Sequence, residues 1–149
     1  IKNKVPCVGI CFGAQHLAKT LGAEIGSYAH TQISVDEIKV VKQNGVFESI
    51  EQYRTLFFHQ DYISWNGYKD IHGYTKDGHV EAFTANGHIW GFQSHIEVVS
   101  ESLFLSYCKS HKISAEKKEK ISREIISCEG NMAKTSKSLM KNIFGRVSH

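Results

Sequence analysis

The chain has 149 residues, of which 41% are hydrophobic and 22% are charged, with 12 glycines and one proline. This composition is typical of a soluble globular protein and excludes collagen-like or long disordered segments. The formal net charge of +3 is too small to indicate nucleic-acid binding. No stretch approaches the about 18 consecutive apolar residues of a membrane span, and no secretory signal pattern opens the chain, so we expect a cytoplasmic protein with free thiols.

In chain order, the first predicted element is a short apolar strand at residues 5–10. A helix follows from residue 13, with apolar residues at spacings of three and four and Gly22 as its expected C-cap. Six short runs rich in Val, Ile and aromatic residues then predict strands between residues 24 and 93 (AEIGSY, ISVDEIKVV, TLFFH, DIHGYT, VEAFT, HIWGFQ). Asp77-Gly78 and Asn86-Gly87 lie between alternating segments and predict hairpins.

After residue 97 the pattern becomes helical. One predicted helix contains Leu103, Tyr107 and His111, a second begins at Ser114, and a third begins near Ser136, where apolar residues form a stripe. We predict a single α/β domain whose residues 110–149 form a helical C-terminal segment. Because the chain begins with Ile1 and leads directly into an apolar strand, we expect residues 1–149 to be the C-terminal portion of a larger domain.

The segment GICFG at residues 9–13 places Cys11 on the turn between the first strand and the first helix, with a glycine two residues to each side. This pattern is typical of a nucleophile elbow with sulfur in place of oxygen. We expect side chains at both glycine positions to collide with the neighbouring strand and helix. Partial positive charge at the helix N-terminus favours a thiolate. A buried structural cysteine is the alternative for Cys11. We expect Cys7 in the apolar strand, and Cys108 and Cys128 on predicted helices, to be core residues.

The segment GFQSHIE ends another apolar strand and contains His95 and Glu97. In an extended chain, residues i and i+2 project to the same side, so Glu97 can bind one ring nitrogen of His95 while the other nitrogen faces Cys11. The carboxyl ends of parallel strands meet at one edge of a sheet. The pattern therefore predicts a thiol, a base and an orienting carboxylate at one edge. Singly, His95 is typical of a surface or core histidine, and Glu97 is typical of a surface carboxylate.

PCVGICFGAQ, together with GFQSHIE, whose His95 lies 84 positions after the elbow cysteine, resembles the class I glutamine amidotransferases. The HQD in FFHQDYISW and the C-terminal SLMKNIF are most similar to the branch around the amidotransferase domain of GMP synthetase, which includes γ-glutamyl peptidases. This resemblance implies a flavodoxin-like open sheet with a nucleophile elbow. It also implies a reaction through a γ-glutamyl thioester on Cys11, with His95 as the base and Glu97 as its partner.

The resemblance implies substrate contacts at five further residues. The backbone N–H of Phe12 would be an oxyanion donor, and Gln15 would hold the substrate. The loop His59-Gln60-Asp61 would meet the amino-acid end of the substrate. The alternatives are an ordinary exposed helix residue for Gln15 and a polar strand terminus for residues 59–61.

The sequence departs from the family pattern at three places. Ile96 stands where the family usually has proline, and Gln60 stands where GMP synthetases usually have glycine. The N-terminal portion that precedes the elbow strand in the family, with a second oxyanion donor, has no counterpart in this sequence. We therefore expect the N-terminal part of the domain to be missing, with that segment or a synthetase partner acting in trans.

The predicted function is a hydrolase that cleaves the γ-glutamyl amide of glutamine or of a γ-glutamyl peptide, both small molecules. The alternative is a non-catalytic binding or regulatory subunit that keeps the fold. We expect no cofactor and no metal, because the nine histidines form no HxxxH or HxH pair and no CxxC accompanies them. The basic C-terminal tail lacks interleaved aromatic residues, which favours a solvated surface over nucleic-acid binding.

Overall fold

The computed structural model describes residues 5–147. Its six strands and three α-helices run in the order β1 (Cys7–Ile10), α1 (Phe12–Thr20), β2 (Glu24–Lys39), β3 (Gln52–Ser64), β4 (Ile71–Tyr74), β5 (Val80–Ala85), β6 (Ile89–Phe92), α2 (Glu101–Cys108) and α3 (Ala115–Val147), with a 3₁₀ turn at Gly45–Phe47. All six strands belong to one sheet in the order β1-β6-β5-β3-β2, and β4 pairs with β5. The predicted α/β open sheet is confirmed.

Only β1 and β6 are parallel, and the other strand pairs are antiparallel. The parallel register places Ile10 opposite Phe92, so these two strands end at the same edge of the sheet. The residues that follow the two strands, including Cys11 and His95, therefore lie at the same edge of the sheet. This local parallel pair is the part of the fold that positions the site.

Both predicted hairpins are confirmed. At the β5–β6 turn, Asn86 and Gly87 have φ angles of 54° and 72°, and the His88 N–H donates to the Ala85 carbonyl at 3.3 Å. Two successive positive φ angles define a type I′ turn, which asparagine and glycine adopt readily. At the β4–β5 turn, Gly78 has a φ of 80°. The C-cap of α1 is Leu21 rather than the predicted Gly22, which is the next residue and has the left-handed φ of 101° typical of a glycine that ends a helix.

The strand region differs from the prediction in two ways. AEIGSY and ISVDEIKVV are not separate strands but parts of β2, whose pairing with β3 shifts register between Ser27 and Gln32. Residues 59–61 were predicted to be a loop or a strand terminus, but they lie within β3. The reason is the same for both, since neither segment contains proline or a tight-turn pair, and two long antiparallel strands satisfy each other's backbone groups across the irregularity.

The helical region is also simpler than predicted. The second and third predicted helices are one helix, α3, because buried residues continue in a single stripe through it (Ile121, Ile125, Cys128, Met132, Leu139 and Ile143). Gly130 alone does not interrupt this stripe. His111 was predicted within the first helix of this region, but α2 ends at Cys108. Within residues 5–147, no helix combines the length and apolarity that crossing a membrane requires.

The cysteines divide by location. All four are free, and Cys108 and Cys128 are buried on helices as predicted. The prediction that Cys7 is a core residue was wrong, since Cys7 is only partly buried. The reason is that β1 is an edge strand with β6 as its one neighbour in the described sheet, and Val8 beside it is 41% exposed.

Candidate active site

Cys11 occupies a sharp turn between β1 and α1. Its φ of 51° and ψ of −110° are unusual for a residue with a side chain, and its N–H donates to the Phe92 carbonyl at 2.7 Å. Such backbone conformations cost about 1–3 kcal/mol and cluster at functional sites. The thiol sulfur lies 3.8 Å from the Phe58 carbonyl oxygen, so the side chain is directed toward β3 and is partly exposed.

The two glycines of the elbow are not equivalent. A Cβ at Gly9 would lie 2.7 Å from the backbone carbon and oxygen of Gly13 and from Leu17 Cδ1, so the predicted collision is confirmed there. At Gly13 the same prediction was wrong, because a Cβ there would meet nothing within 4 Å. Gly9 lies against the Gly13 backbone and Leu17, whereas the Cβ direction at Gly13 points into open space, which explains the difference.

His95 and Glu97 approach each other as predicted, but not in an extended strand. β6 ends at Phe92, His95 forms an isolated bridge to Leu56, and a turn follows in which the Val98 N–H donates to the His95 carbonyl at 3.0 Å. His95 Nδ1 lies 2.7 Å from Glu97 Oε1. Because a carboxylate only accepts, Nδ1 is the donor, which leaves Nε2 for other partners.

The electrostatic environment links His95 to both neighbours. Burial lowers the pKa of His95, but hydrogen bonding to Cys11 and to Glu97, together with their negative charge, outweighs it and raises this pKa from 6.5 to about 10. His95 is only 5% exposed, whereas the Glu97 side chain is 47% exposed. An imidazolium held beside a thiol favours the thiolate, so the three side chains can act as one ionic unit.

A row of amide groups lies beside the cysteine. Gln15 is buried, and its Nε2 donates to the Asp61 carbonyl at 3.0 Å and to Gln93 Oε1 at 3.2 Å. Gln93 Nε2 in turn lies 4.0 Å from the Cys11 sulfur. The alternative of an exposed helix residue for Gln15 was therefore wrong. The sequence analysis did not single out Gln93, although its place two residues before His95 in GFQSHIE was a usable signal.

Residues 59–61 reach the site through their backbone. The Asp61 carbonyl that receives Gln15 also lies 2.6 Å from His59 Nδ1, and burial lowers the pKa of His59. Gln60 is different, since its side chain is exposed and donates to the Tyr28 carbonyl on β2 at 3.3 Å. The structure thus brings His59 and Asp61 toward Gln15 and turns the Gln60 side chain to β2.

Phe12 is the first residue of α1, and its side chain is 68% exposed against the ring of His16. A backbone N–H at this position has no acceptor within the helix. It directly follows Cys11, the residue to which a substrate carbonyl carbon would be bonded in a thioester. This is the arrangement expected of an oxyanion donor.

Tyr107 on α2 is a second site residue that the sequence did not identify, since the pattern predicted only that it lies on a helix. Its hydroxyl lies 3.4 Å from His95 Nε2, and its ring meets the His95 ring edge-on with centroids 4.9 Å apart. Burial, followed by the charges of Cys11 and Glu97, raises the pKa of Tyr107. Nothing in a single sequence relates a tyrosine on a later helix to a histidine on a strand end.

Across residues 5–147, no group of three or more His, Cys, Asp or Glu is placed to hold a metal ion.

This fold and this site agree with a family match over most of the chain. The sequence model for "Glutamine amidotransferase class-I" matches residues 1–113, and the chain belongs to this family. The chain is 31% identical over 114 residues to one subunit of a glutamine-hydrolysing GMP synthase from Methanococcus aeolicus, covering 66% of this chain and 54% of that protein. It is 32% identical over 99 residues to a glutamine-hydrolysing GMP synthase from Thermobifida fusca, covering 64% of this chain and 19% of that protein.

Solved structures show the same fold. A glutamine amidotransferase from Thermotoga maritima matches with a TM-score of 0.80 at 24% identity, covering 94% of this chain and 63% of that one. A glutamine amidotransferase from Methylobacillus flagellatus matches with a TM-score of 0.72 at 18% identity, covering 96% and 62%. The chain therefore spans about half the length of the Methanococcus relative and less than two thirds of these structures.

Proposed function

We propose that this chain hydrolyses the γ-glutamyl amide of glutamine, or of a γ-glutamyl peptide, through a thioester on Cys11. The observation that carries the proposal is the convergence of Cys11 at the elbow with the hydrogen-bonded pair of His95 and Glu97. A strained turn that exposes a thiol next to a base with its own carboxylate partner is what covalent acyl transfer requires.

In the proposed first half-reaction, His95 Nε2 holds the proton of Cys11, and the thiolate attacks the side-chain carbonyl carbon of glutamine. The carbon–sulfur bond forms while the carbonyl oxygen takes the negative charge opposite the Phe12 N–H. The carbon–nitrogen bond then breaks, and the nitrogen takes the proton from His95 and leaves as ammonia or an amine.

In the second half-reaction, His95 takes a proton from water, the resulting hydroxide attacks the thioester carbonyl, and the carbon–sulfur bond breaks. Glutamate leaves, and the sulfur regains its original state. Glu97 keeps Nδ1 protonated throughout and stabilises the imidazolium. In this proposal, Gln15, His59 and the Asp61 carbonyl bind the amino-acid end of the substrate, and the Gln60 backbone lies along the same strand.

We also propose that a synthetase partner accepts the ammonia. This is supported by the name of the Methanococcus relative, which describes that protein as one subunit of a GMP synthase. We further propose that a separate segment pairs with β1 in trans. The position beside β1 is open to such a segment, since β6 is the one neighbour of β1 among the described strands.

The test measures the release of ammonia from glutamine and of free amine from a γ-glutamyl dipeptide by the intact protein, alone and with a synthetase partner. We expect Cys11→Ala to lower hydrolysis by more than about 10³-fold. Cys7→Ala is the matched control, because Cys7 lies on β1, the strand that leads to Cys11, is also partly exposed, and its side chain bonds only the nearby Val5 carbonyl among the described contacts.

Hydrolysis that is equal in Cys11→Ala and the wild type would contradict the thioester mechanism. Absence of hydrolysis with and without the partner would instead support the alternative of a non-catalytic subunit. The ratio of the two products identifies which amide is preferred.

A further inference from the structure

A carboxyl group that the proposed reaction does not use lies fully buried under the site. Glu81 on β5 is 0% exposed. Its Oε2 accepts from the Ser94 N–H at 3.1 Å, and its Oε1 accepts from the Tyr53 hydroxyl at 3.2 Å and from the Ser94 hydroxyl in a short contact. Buried carboxyl groups are costly unless such partners are present.

This carboxyl is connected to the segment that carries His95. Ser94 immediately precedes His95, and its hydroxyl also accepts from Thr55 on β3 at 2.9 Å. The Gln93 N–H donates to the Glu81 carbonyl at 2.7 Å, and the His95 N–H donates to the Leu56 carbonyl at 2.7 Å. Three successive residues after β6 are therefore hydrogen-bonded to β5 and β3, and the Glu81 side chain supplies the bonds of the middle residue, Ser94.

We propose that Glu81 is a positioning residue that fixes Ser94, and through it holds the His95 ring between Cys11 and Glu97. This inference deepens the proposed function and rests on it. The segment after β6 has no regular strand or helix pairing of its own beyond one bridge, so its backbone needs fixed side-chain partners. An apolar side chain of similar size would fill the space but would leave the Ser94 N–H without its acceptor.

The charge state of Glu81 suits this role. Burial raises its pKa to about 8, although hydrogen bonds from Ser94 and Tyr53 and the charge of His95 act in the opposite direction. Tyr53 and His95 are the titratable groups that act on it, and the neighbouring residue on β4 is the uncharged Gly73. At neutral pH the side chain is thus mostly a neutral acid. Its Oε2 then accepts from the Ser94 N–H while its own proton is donated from Oε1 to the Tyr53 or Ser94 hydroxyl oxygen, as a carboxamide would do.

The experiment follows the His95 ring by NMR titration and the rate of Cys11 alkylation by iodoacetamide at pH 6.5, both without substrate. We expect Glu81→Ala and Ser94→Ala to move the His95 pKa from about 10 toward its ordinary value of 6.5. We also expect them to slow Cys11 alkylation about 10- to 100-fold, because an unassisted thiol is mostly protonated at that pH. Glu81→Gln is expected to keep both wild-type values, and Glu51→Ala, at an exposed glutamate, is the control.

Circular dichroism verifies that each variant is folded. If Glu81→Ala does not fold, Ser94→Ala decides, because it removes only a hydroxyl. A folded Glu81→Ala or Ser94→Ala protein with the wild-type His95 titration would overturn the inference. A Glu81→Gln protein as defective as Glu81→Ala would also overturn it, since a carboxamide whose oxygen accepts from the Ser94 N–H and whose NH2 donates to the Tyr53 or Ser94 hydroxyl oxygen keeps the same contacts. The proposed function is tested separately by comparing the His95 titration of the wild type with that of Cys11→Ala. If these two titrations are the same, the proposed pairing of Cys11 with His95 fails, whereas the Glu81 and Ser94 variants test only how His95 is positioned.

Discussion

Two polar regions of the molecule adjoin at Ser94 and His95 and differ in their exposure. The open region consists of Cys11, His95 and Glu97, with the Glu97 side chain 47% exposed. The closed region is centred on Glu81 and Ser94, which are both 0% exposed. In the proposed reaction the open region must admit a substrate, whereas the closed region must exclude water for its hydrogen bonds to remain fixed.

This difference indicates which parts of the fold carry the proposed reacting groups and which parts hold them in position. In the proposed mechanism, the reacting groups lie just after strand ends, where the backbone leaves the sheet and Cys11 and Glu97 are partly exposed. Glu81, which holds the neighbouring segment, lies within β5, where almost every residue is buried. The following predictions test that division, beginning with the largest expected effect.

Removal of the carboxylate in the open region is expected to have the largest effect. Glu97→Ala removes the partner of His95 Nδ1, and we expect kcat for γ-glutamyl hydrolysis to fall by about 10²- to 10⁴-fold, as when the orienting acid of other triads is lost. The pKa of His95 is expected to fall as well, because one of its two anionic partners is gone. Glu101→Ala, in the first turn of α2, is the control. Wild-type kcat in Glu97→Ala would remove Glu97 from the mechanism.

The elbow glycines offer a matched pair for stability. Gly9→Ala places a Cβ 2.7 Å from the Gly13 backbone, and we expect it to lower the free energy of unfolding by about 3 kcal/mol. Gly13→Ala meets open space and is expected to leave stability unchanged or to raise it by up to about 1 kcal/mol. Urea unfolding measures both. Equal effects of the two substitutions would contradict this difference in packing between the two glycines.

The closed region predicts a pH dependence of stability. The pKa of Glu81 is raised from 4.5 to about 8 in the folded protein. Between these values the unfolded chain releases the proton while the folded protein keeps it, so this group makes the protein less stable as pH rises, by at most about 1.4 kcal/mol for each pH unit. Glu81→Gln removes this contribution. Urea unfolding at several values between pH 5 and 8 should therefore show a more negative slope for the wild type, and identical slopes would show that Glu81 is ionised when buried.

The contact between the open region and α2 predicts the smallest effect. Tyr107→Phe keeps the ring against His95 and removes a hydroxyl 3.4 Å from Nε2. A single hydrogen bond of this kind contributes about 0.5–1.5 kcal/mol, so we expect a 2- to 10-fold change in kcat with little change in KM. A loss larger than about 100-fold would mean that the hydroxyl itself transfers a proton.

The sequence predicted the features that depend on neighbours in the chain. Asn86-Gly87 encodes its turn through two positive φ angles, and the spacing of His95 and Glu97 places their side chains in contact even though the segment is a turn rather than a strand. Features that depend on distant segments were not predictable. Glu81 in VEAFT resembles an exposed strand position, and only the packing of both sheet faces reveals that it is buried.

The continuity of the long elements was missed for a related reason. The polar stretch near Gly130 suggests a break, but the buried stripe of α3 against the sheet keeps it helical. The length of β2 likewise depends on β3 as its pairing partner over both halves. Tertiary packing determines the lengths of both elements, and a local sequence pattern does not contain that information.

The most direct test of the central claim uses a glutamine analogue that carries an electrophile in place of the side-chain amide. The adducts are located by mass spectrometry of peptides from the intact protein, with labelling rates compared between Cys11 and Cys7. We expect Cys11 to be labelled more than ten times faster than Cys7 and glutamine to protect Cys11 from labelling. We also expect His95→Ala to abolish the difference between the two rates. Equal labelling of the two cysteines, without protection by glutamine, would contradict the central claim.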